Sequence, residues 1–136
     1  MNTNPDVLHP TSRILIVDDE RDNRELLEII LTHEGFIPAT ASTGEEALAI
    51  LAIHPADLVL LDIMMPGMDG YQVAARIKGN AATKDIPVIM LSALDGRDVR
   101  MQARSVGADD FVAKPVERVD LCERMRHLLQ LRTEPH

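Results

Sequence analysis

The sequence predicts an α/β domain in which five short parallel strands form one sheet covered on both faces by helices. Three observations predict it. Five short apolar runs alternate with stretches of helical spacing, the signature of repeated βα units. Three of those runs, ILIV, LVLL and VIML, carry no polar alternation, as expected for strands buried on both faces. At 136 residues the chain fits one domain, which buries roughly two-thirds of the surface its unfolded form exposes, so neither a disulfide nor a metal is needed for folding.

Residues 1 to 12 hold Asn, Thr, Ser and two prolines without apolar periodicity and read as a flexible lead-in to a domain spanning 13 to 131. The first strand is Ile14 to Val17, and Leu27, Ile30 and Leu31 mark the first helix. The second strand candidate, Phe36 to Ala41, contains Pro38, which removes a ladder donor and suits an edge. Ala47, Leu48 and Leu51 mark the next helix. Leu58 to Leu61 and Val88 to Leu91 are central strands, while the fifth, Phe111 to Ala113, is short enough for the other edge. Leu121, Met125 and Leu128 mark the last helix, and 132 to 136 form a fraying tail. Gly35, Gly79 and Gly107 each follow a helical stretch, where a left-handed cap is expected.

Composition excludes several functions. Net charge is −8, which repels a phosphate backbone and disfavours direct nucleic-acid binding. Arg118, Arg124 and Arg126 alternate with Glu117, Asp120 and Glu123 near the C-terminus, a mixed-charge face read as solvated. No apolar run approaches the roughly 18 to 20 residues that span a bilayer. The single cysteine, Cys122, has no internal partner, and no signal-like segment precedes the domain, so a reducing cytoplasm is the expected location. Walker-type phosphate loops, a nucleophilic Ser or Cys with a His base, and Cys/His metal spacing are absent, and the five histidines are scattered.

In an open parallel sheet, ligands bind beyond the carboxyl ends of the strands. Just past the first, third, fourth and fifth runs stand Asp18 and Asp19, then Asp62, then Ser92, then Lys114. Each alone has an ordinary structural reading. Asp18 and Asp19 can prepare a helix start, Asp62 can be a turn residue, Ser92 can cap the turn after it, and Lys114 can be a surface lysine at a strand end. Their convergence is the case for a site. Carboxylates on adjoining strand ends repel by about 4 kcal/mol for a pair about 4 Å apart at an effective dielectric near 20. A hard divalent cation offsets this, and magnesium is usually held by one or two carboxylates plus waters and phosphate oxygens. Asp62, at the end of the buried central run, is placed to be a nucleophile toward phosphorus while Asp18 and Asp19 hold the metal. Phosphoryl transfer needs positioning and charge neutralisation, which a metal, a lysine ammonium and a hydroxyl can supply.

RILIVDDE at 13 to 20, LVLLDIMMPGMDGYQV at 58 to 73, PVIMLSALDG at 87 to 96 and GADDFVAKPV at 107 to 116 resemble the receiver domains of bacterial response regulators, in order and over Arg13 to about Leu131. The resemblance implies a doubly wound, flavodoxin-like sheet of order 2-1-3-4-5 with five helices. It implies Asp62 as phosphoacceptor, Asp19 as direct magnesium ligand, Asp18 as an acid reaching the metal through water, and Met64 as a ligand through its backbone carbonyl. Ser92 meets the phosphoryl group, Lys114 pairs with it, and Pro115 follows a cis bond. Phe111 takes the switch aromatic position, and partial burial in the edge strand is equally compatible with the residues. Asp69 and Gly70 are expected to set a turn and cap the third helix.

The expected function is a phosphorylation-dependent switch whose fourth helix, fifth strand and fifth helix change partner preference. A histidine kinase or histidine phosphotransfer protein, docking near the first helix, is the implied donor. The output is a downstream effector protein or a fused domain, with the chain monomeric or dimerising on phosphorylation. The LSALDG segment resembles receivers attached to cyclic-dinucleotide enzymes or acting alone in cell-cycle and developmental relays. Two alternatives are an aspartyl-phosphate hydrolase, which generally has a second Asp where Met64 stands, and a pseudo-receiver that binds partners without phosphorylation.

Overall fold

The computed structural model describes residues 12 to 133. Residues 1 to 11 of the lead-in and 134 to 136 of the tail lie outside the described residues, while 132 and 133, read as tail, continue the last helix. Five strands and five helices alternate in the order β1 (Arg13–Val17), α1 (Arg21–His33), β2 (Ile37–Ala41), α2 (Gly44–Ile53), β3 (Leu58–Asp62), α3 (Gly70–Lys78), β4 (Val88–Ser92), α4 (Arg97–Ser105), β5 (Asp110–Ala113) and α5 (Arg118–Thr133). All pairings are parallel and the strand order is β2-β1-β3-β4-β5, as the resemblance implies.

Burial explains why the apolar runs are strands. Every residue of β3 and β4 is buried, whereas β2, carrying Pro38 at the edge, alternates between exposed and partly buried positions before ending on buried Ala41. Period-two geometry sends neighbours to opposite faces. Ile14 and Ile16 pack with Leu27 and Leu31 of α1 and with Leu121, Met125 and Leu129 of α5. Leu15 and Val17 pack on the other face with Ala47 and Leu51 of α2, Val73 and Ile77 of α3, and Ala103 of α4. Each fully buried Leu or Ile contributes about 1.5 to 3 kcal/mol to this two-sided core. Among the described residues no helix is long and apolar enough to cross a membrane.

Gly35 and Gly107 adopt the left-handed caps expected of them, both at φ +94°. Gly79 does not, and this corrects the sequence reading: its φ is −86°. After α3 the chain keeps winding, with Asn80 N–H donating to the Ile77 carbonyl and Lys84 N–H to the Asn80 carbonyl, so no reversal of hand is required there. Ser12, placed by sequence in the lead-in, is buried, and its carbonyl accepts a 2.9 Å bond from Ile37 N–H at the sheet edge. The mixed-charge face of α5 is more than solvated. Arg126 and Arg118 reach Glu34 at the end of α1 (2.7 and 3.5 Å), and Arg124 reaches Asp110 of β5 (3.0 Å), so these pairs tie α5 to its neighbours.

Candidate functional site

Asp18 follows the last residue of β1 and is buried. Its N–H donates to the Ala41 carbonyl at 3.1 Å, its Oδ1 accepts Glu20 N–H at 2.9 Å, its Oδ2 accepts the Lys114 ammonium at 3.1 Å, and its carbonyl accepts Arg24 Nη1 at 2.9 Å. The bond from Glu20 N–H is the local turn bond of a residue preparing a helix, so Asp18 serves the start of α1 and the site together. Asp19, the next residue, is exposed. Asp62 ends β3 and is buried. Because β1 and β3 are neighbours, one carboxylate oxygen from each of Asp18, Asp19 and Asp62 falls within 4.8 Å of the others.

Lys114 follows β5 and comes to this cluster across the end of β4. Its backbone N–H bonds the Ser92 carbonyl at 2.8 Å, and its ammonium donates to Asp18 and to Asp62 Oδ1, both at 3.1 Å. The Lys114–Pro115 peptide is cis. Ser92, the last residue of β4, is fully buried, and its Oγ accepts Leu94 N–H at 3.0 Å. It therefore caps its own loop as its ordinary reading has it, while standing between the strands that bear Asp62 and Lys114.

One ammonium does not neutralise three carboxylates. Burial pushes the Asp62 carboxyl up to about 6; Lys114 opposes this, and the charges of Asp18 and Asp19 add to it. Burial alone would lower the Lys114 pKa, but Asp62 and Asp18 outweigh it and hold the ammonium above its ordinary value. The donors are all hard oxygens, crowded and under-neutralised, with Asp19 open to solvent. That chemistry fits a hard divalent cation.

The Met64 side chain is exposed, just past β3, and Phe111 in β5 is buried under α4. Asp69 forms a capping box with Gln72 at the start of α3, as expected. Gly70 has a further role that sequence reading missed: a Cβ there would sit 2.6 Å from Ile63 Cα, so α3 starts directly against the end of β3 that carries Asp62. Also missed was the bond from Arg24 to the Asp18 carbonyl, which no spacing in the sequence announces.

A family model described as the response regulator receiver domain matches residues 14–126. The chain is 45% identical over 122 residues to the response regulator PleD of Caulobacter vibrioides, which covers 90% of this chain and 27% of that protein. It is 40% identical over 122 residues to the phosphate regulon transcriptional regulatory protein PhoB of Pseudomonas aeruginosa, covering 90% of this chain and 53% of that one. The chain thus spans about half or less of the length of the curated relatives it matches. Among solved structures it resembles the signal receiver domain of a signal transduction histidine kinase from Syntrophus aciditrophicus, with a TM-score of 0.85, 34% identity, and coverage of 92% of this chain and 95% of that one. A response regulator receiver domain protein from Methanospirillum hungatei gives a TM-score of 0.84 at 29% identity, covering 90% and 96%. A family match over most of the chain, relatives of this identity and an acidic pocket at the sheet's switch point agree, and the chain belongs to the receiver domains of two-component response regulators.

Proposed function

We propose that this receiver domain takes a phosphoryl group on Asp62 and uses the change in charge to alter the face it offers to partners. The observation that carries the reading is the Lys114 ammonium lodged between Asp18 and Asp62, in a pocket that still holds an excess of buried negative charge.

Asp62 attacks phosphorus through a carboxylate oxygen; that P–O bond forms as the bond to the donor's leaving nitrogen or oxygen breaks, leaving an acyl phosphate. Lys114 pairs with the developing phosphoryl charge, and Asp18, fixed by Glu20 N–H and Arg24, keeps the acidic pocket in register. Asp18, Asp19, Asp62 and the Met64 backbone carbonyl would hold magnesium, which when bound would supply the positive charge that lets a carboxylate accept an anionic group. The product carries nearly twice the charge of the carboxylate and new acceptor oxygens. Ser92, whose Oγ accepts Leu94 N–H, then donates its hydroxyl to a phosphoryl oxygen, the loop after β4 follows, and Phe111 repositions.

A histidine kinase or histidine phosphotransfer protein is the proposed donor. Exposed Leu26 and Ile29 on α1 support this, Leu26 beside a cavity of about 380 Å³ whose lining also includes Asp18, Lys114 and Pro115. The output is a downstream effector or a fused domain, in keeping with relatives much longer than this chain. The chain works in the cytoplasm, as a monomer or a phosphorylation-linked dimer, and turns over no external substrate.

The test is intact-mass measurement after incubation with magnesium and acetyl phosphate. Wild type is expected to gain one phosphoryl group and Asp62→Ala none. Sustained release of phosphate from many organic phosphates would favour a hydrolase, and no modification by any donor a pseudo-receiver.

A further inference from the structure

Helix α4 is lightly attached. It buries a single residue, Ala103, and its N-cap, Gly96, offers no side chain to the free N–H groups of the first turn. Tyr71 adds a long 3.5 Å bond to the Val99 carbonyl. Val99 packs partly buried against the core, and a half-exposed tie near the start of the helix is made by Arg100. Its Nε donates to Asp95 Oδ1 at 2.7 Å, and its guanidinium carbon lies 4.6 Å from the centre of the Phe111 ring. Asp95 belongs to the short loop that follows Ser92 and includes Leu94, whose N–H donates to the Ser92 hydroxyl. One side chain thus joins the loop that follows Ser92 to the aromatic ring of β5.

The geometry is directional. A cavity of about 180 Å³, lined among others by Arg100, Ala103, Arg104 and Phe111, lies between α4 and β5, so space exists for rearrangement beside the ring. When Ser92 moves to donate its hydroxyl to a phosphoryl oxygen, the Leu94 N–H bonded to its Oγ draws the loop carrying Asp95 with it. The Asp95 to Arg100 to Phe111 chain resists that shift, because the ion pair and the ring contact hold together only while the loop, α4 and β5 keep their present spacing.

We infer that Arg100 is a positioning residue of the switch, a latch that, pinned by Asp95, lies on Phe111 and favours the unphosphorylated arrangement. The inference rests on the reading of Asp62 as phosphoacceptor. A cation over an aromatic face at a partly exposed site is worth about a two- to fivefold bias in a two-state equilibrium. Ligand affinity for the active arrangement scales with the fraction of molecules already in it, so loss of the latch tightens binding of a phosphoryl mimic.

The experiment is titration of wild type, Arg100→Ala, Arg100→Lys and Asp95→Asn with beryllium fluoride in the presence of magnesium. A ¹⁹F spectrum of fluorophenylalanine-labelled protein is recorded alongside. The chain has two phenylalanines, Phe36 and Phe111, so Phe36→Leu assigns the signals. Arg100→Ala is expected to bind about two- to fivefold more tightly, with its Phe111 resonance displaced toward the saturated position before any ligand is added. Asp95→Asn should move the same way by less, and Arg100→Lys should fall between wild type and Ala. A residue that merely braces the fold would lower the melting temperature and leave affinity unchanged. Unchanged or weaker binding by Arg100→Ala, with Phe111 unmoved, overturns the inference while leaving the phosphoacceptor reading in place. Failure of wild type to bind the mimic at all removes both.

Discussion

The Lys114 ammonium reaches past the end of β4 to donate a 3.1 Å hydrogen bond to Asp62, joining two strands that are not neighbours in the sheet. A second bond of equal length to Asp18 makes this lysine the bridge between the buried carboxylates. Lys114→Met removes that charge and leaves both carboxylates unopposed. The metal-free variant is expected to lose about 2 to 4 kcal/mol of stability at neutral pH, and to be restored by magnesium more than wild type is. Denaturant melts with and without the ion check this.

Asp19 differs from Asp18 and Asp62 because it is exposed. Asp19→Asn should therefore leave metal-free stability within about 0.5 kcal/mol of wild type. It should nonetheless abolish most of the rise in melting temperature that magnesium gives. A large loss in the metal-free state would mean that Asp19 braces the fold.

The Asp62 carboxyl is raised to about 6 by burial, against the pull of Lys114 and with the push of Asp18 and Asp19. A folded pKa above the unfolded value of about 3.9 means the folded chain holds this proton more tightly, so stability falls as pH rises from about 4 to about 6 and is level above. The size is about 2 to 3 kcal/mol. Denaturant melts of the metal-free protein across pH 4.5 to 7.5 should therefore show this decline relative to Asp62→Asn, and Asp62→Asn should be the more stable at the upper end. Parallel curves would refute it.

Gly70 starts α3 against the backbone of Ile63, and its N–H donates to the Ile63 carbonyl at 2.9 Å. Gly70→Ala places a methyl 2.6 Å from Ile63 Cα, with backbone rather than a flexible side chain in the way. The expected cost is about 2 kcal/mol or more, and the displaced end of β3 should slow phosphorylation beyond what stability explains. Asp69→Ala, which removes only the cap, should cost about 1 kcal/mol and leave the rate near that of wild type.

Much of this was legible from residue order because the determinants are local. LVLL and VIML have no polar position, so both faces must be covered, and Pro38 cannot sit inside a ladder; strand type and edge placement follow. The site was legible because a parallel sheet collects its strand ends, which turns Asp18, Asp62, Ser92 and Lys114 into neighbours without knowledge of the loops. What stayed hidden depends on long-range packing. Gly79 looked like a left-handed cap because a sequence shows that a helix ends but not that the chain winds on. Ser12 looked free because the bond from Ile37 N–H to its carbonyl comes from across the sheet edge. Arg126 and Arg118 looked solvated because Glu34, their partner, lies 92 and 84 residues earlier in the chain. The Arg100 contact with Phe111 likewise joins a polar helix to an edge strand, and no periodicity in RDVRMQARS points to it.

The central claim is that the phosphoryl group resides on one particular carboxylate among three that crowd together. The direct measurement is borohydride reduction of the phosphorylated protein, which converts an aspartyl phosphate to homoserine, followed by fragment sequencing in a mass spectrometer. The account requires homoserine at position 62 and aspartate retained at 18 and 19. Homoserine at either of those positions, or phosphate found on a serine or histidine, would contradict it.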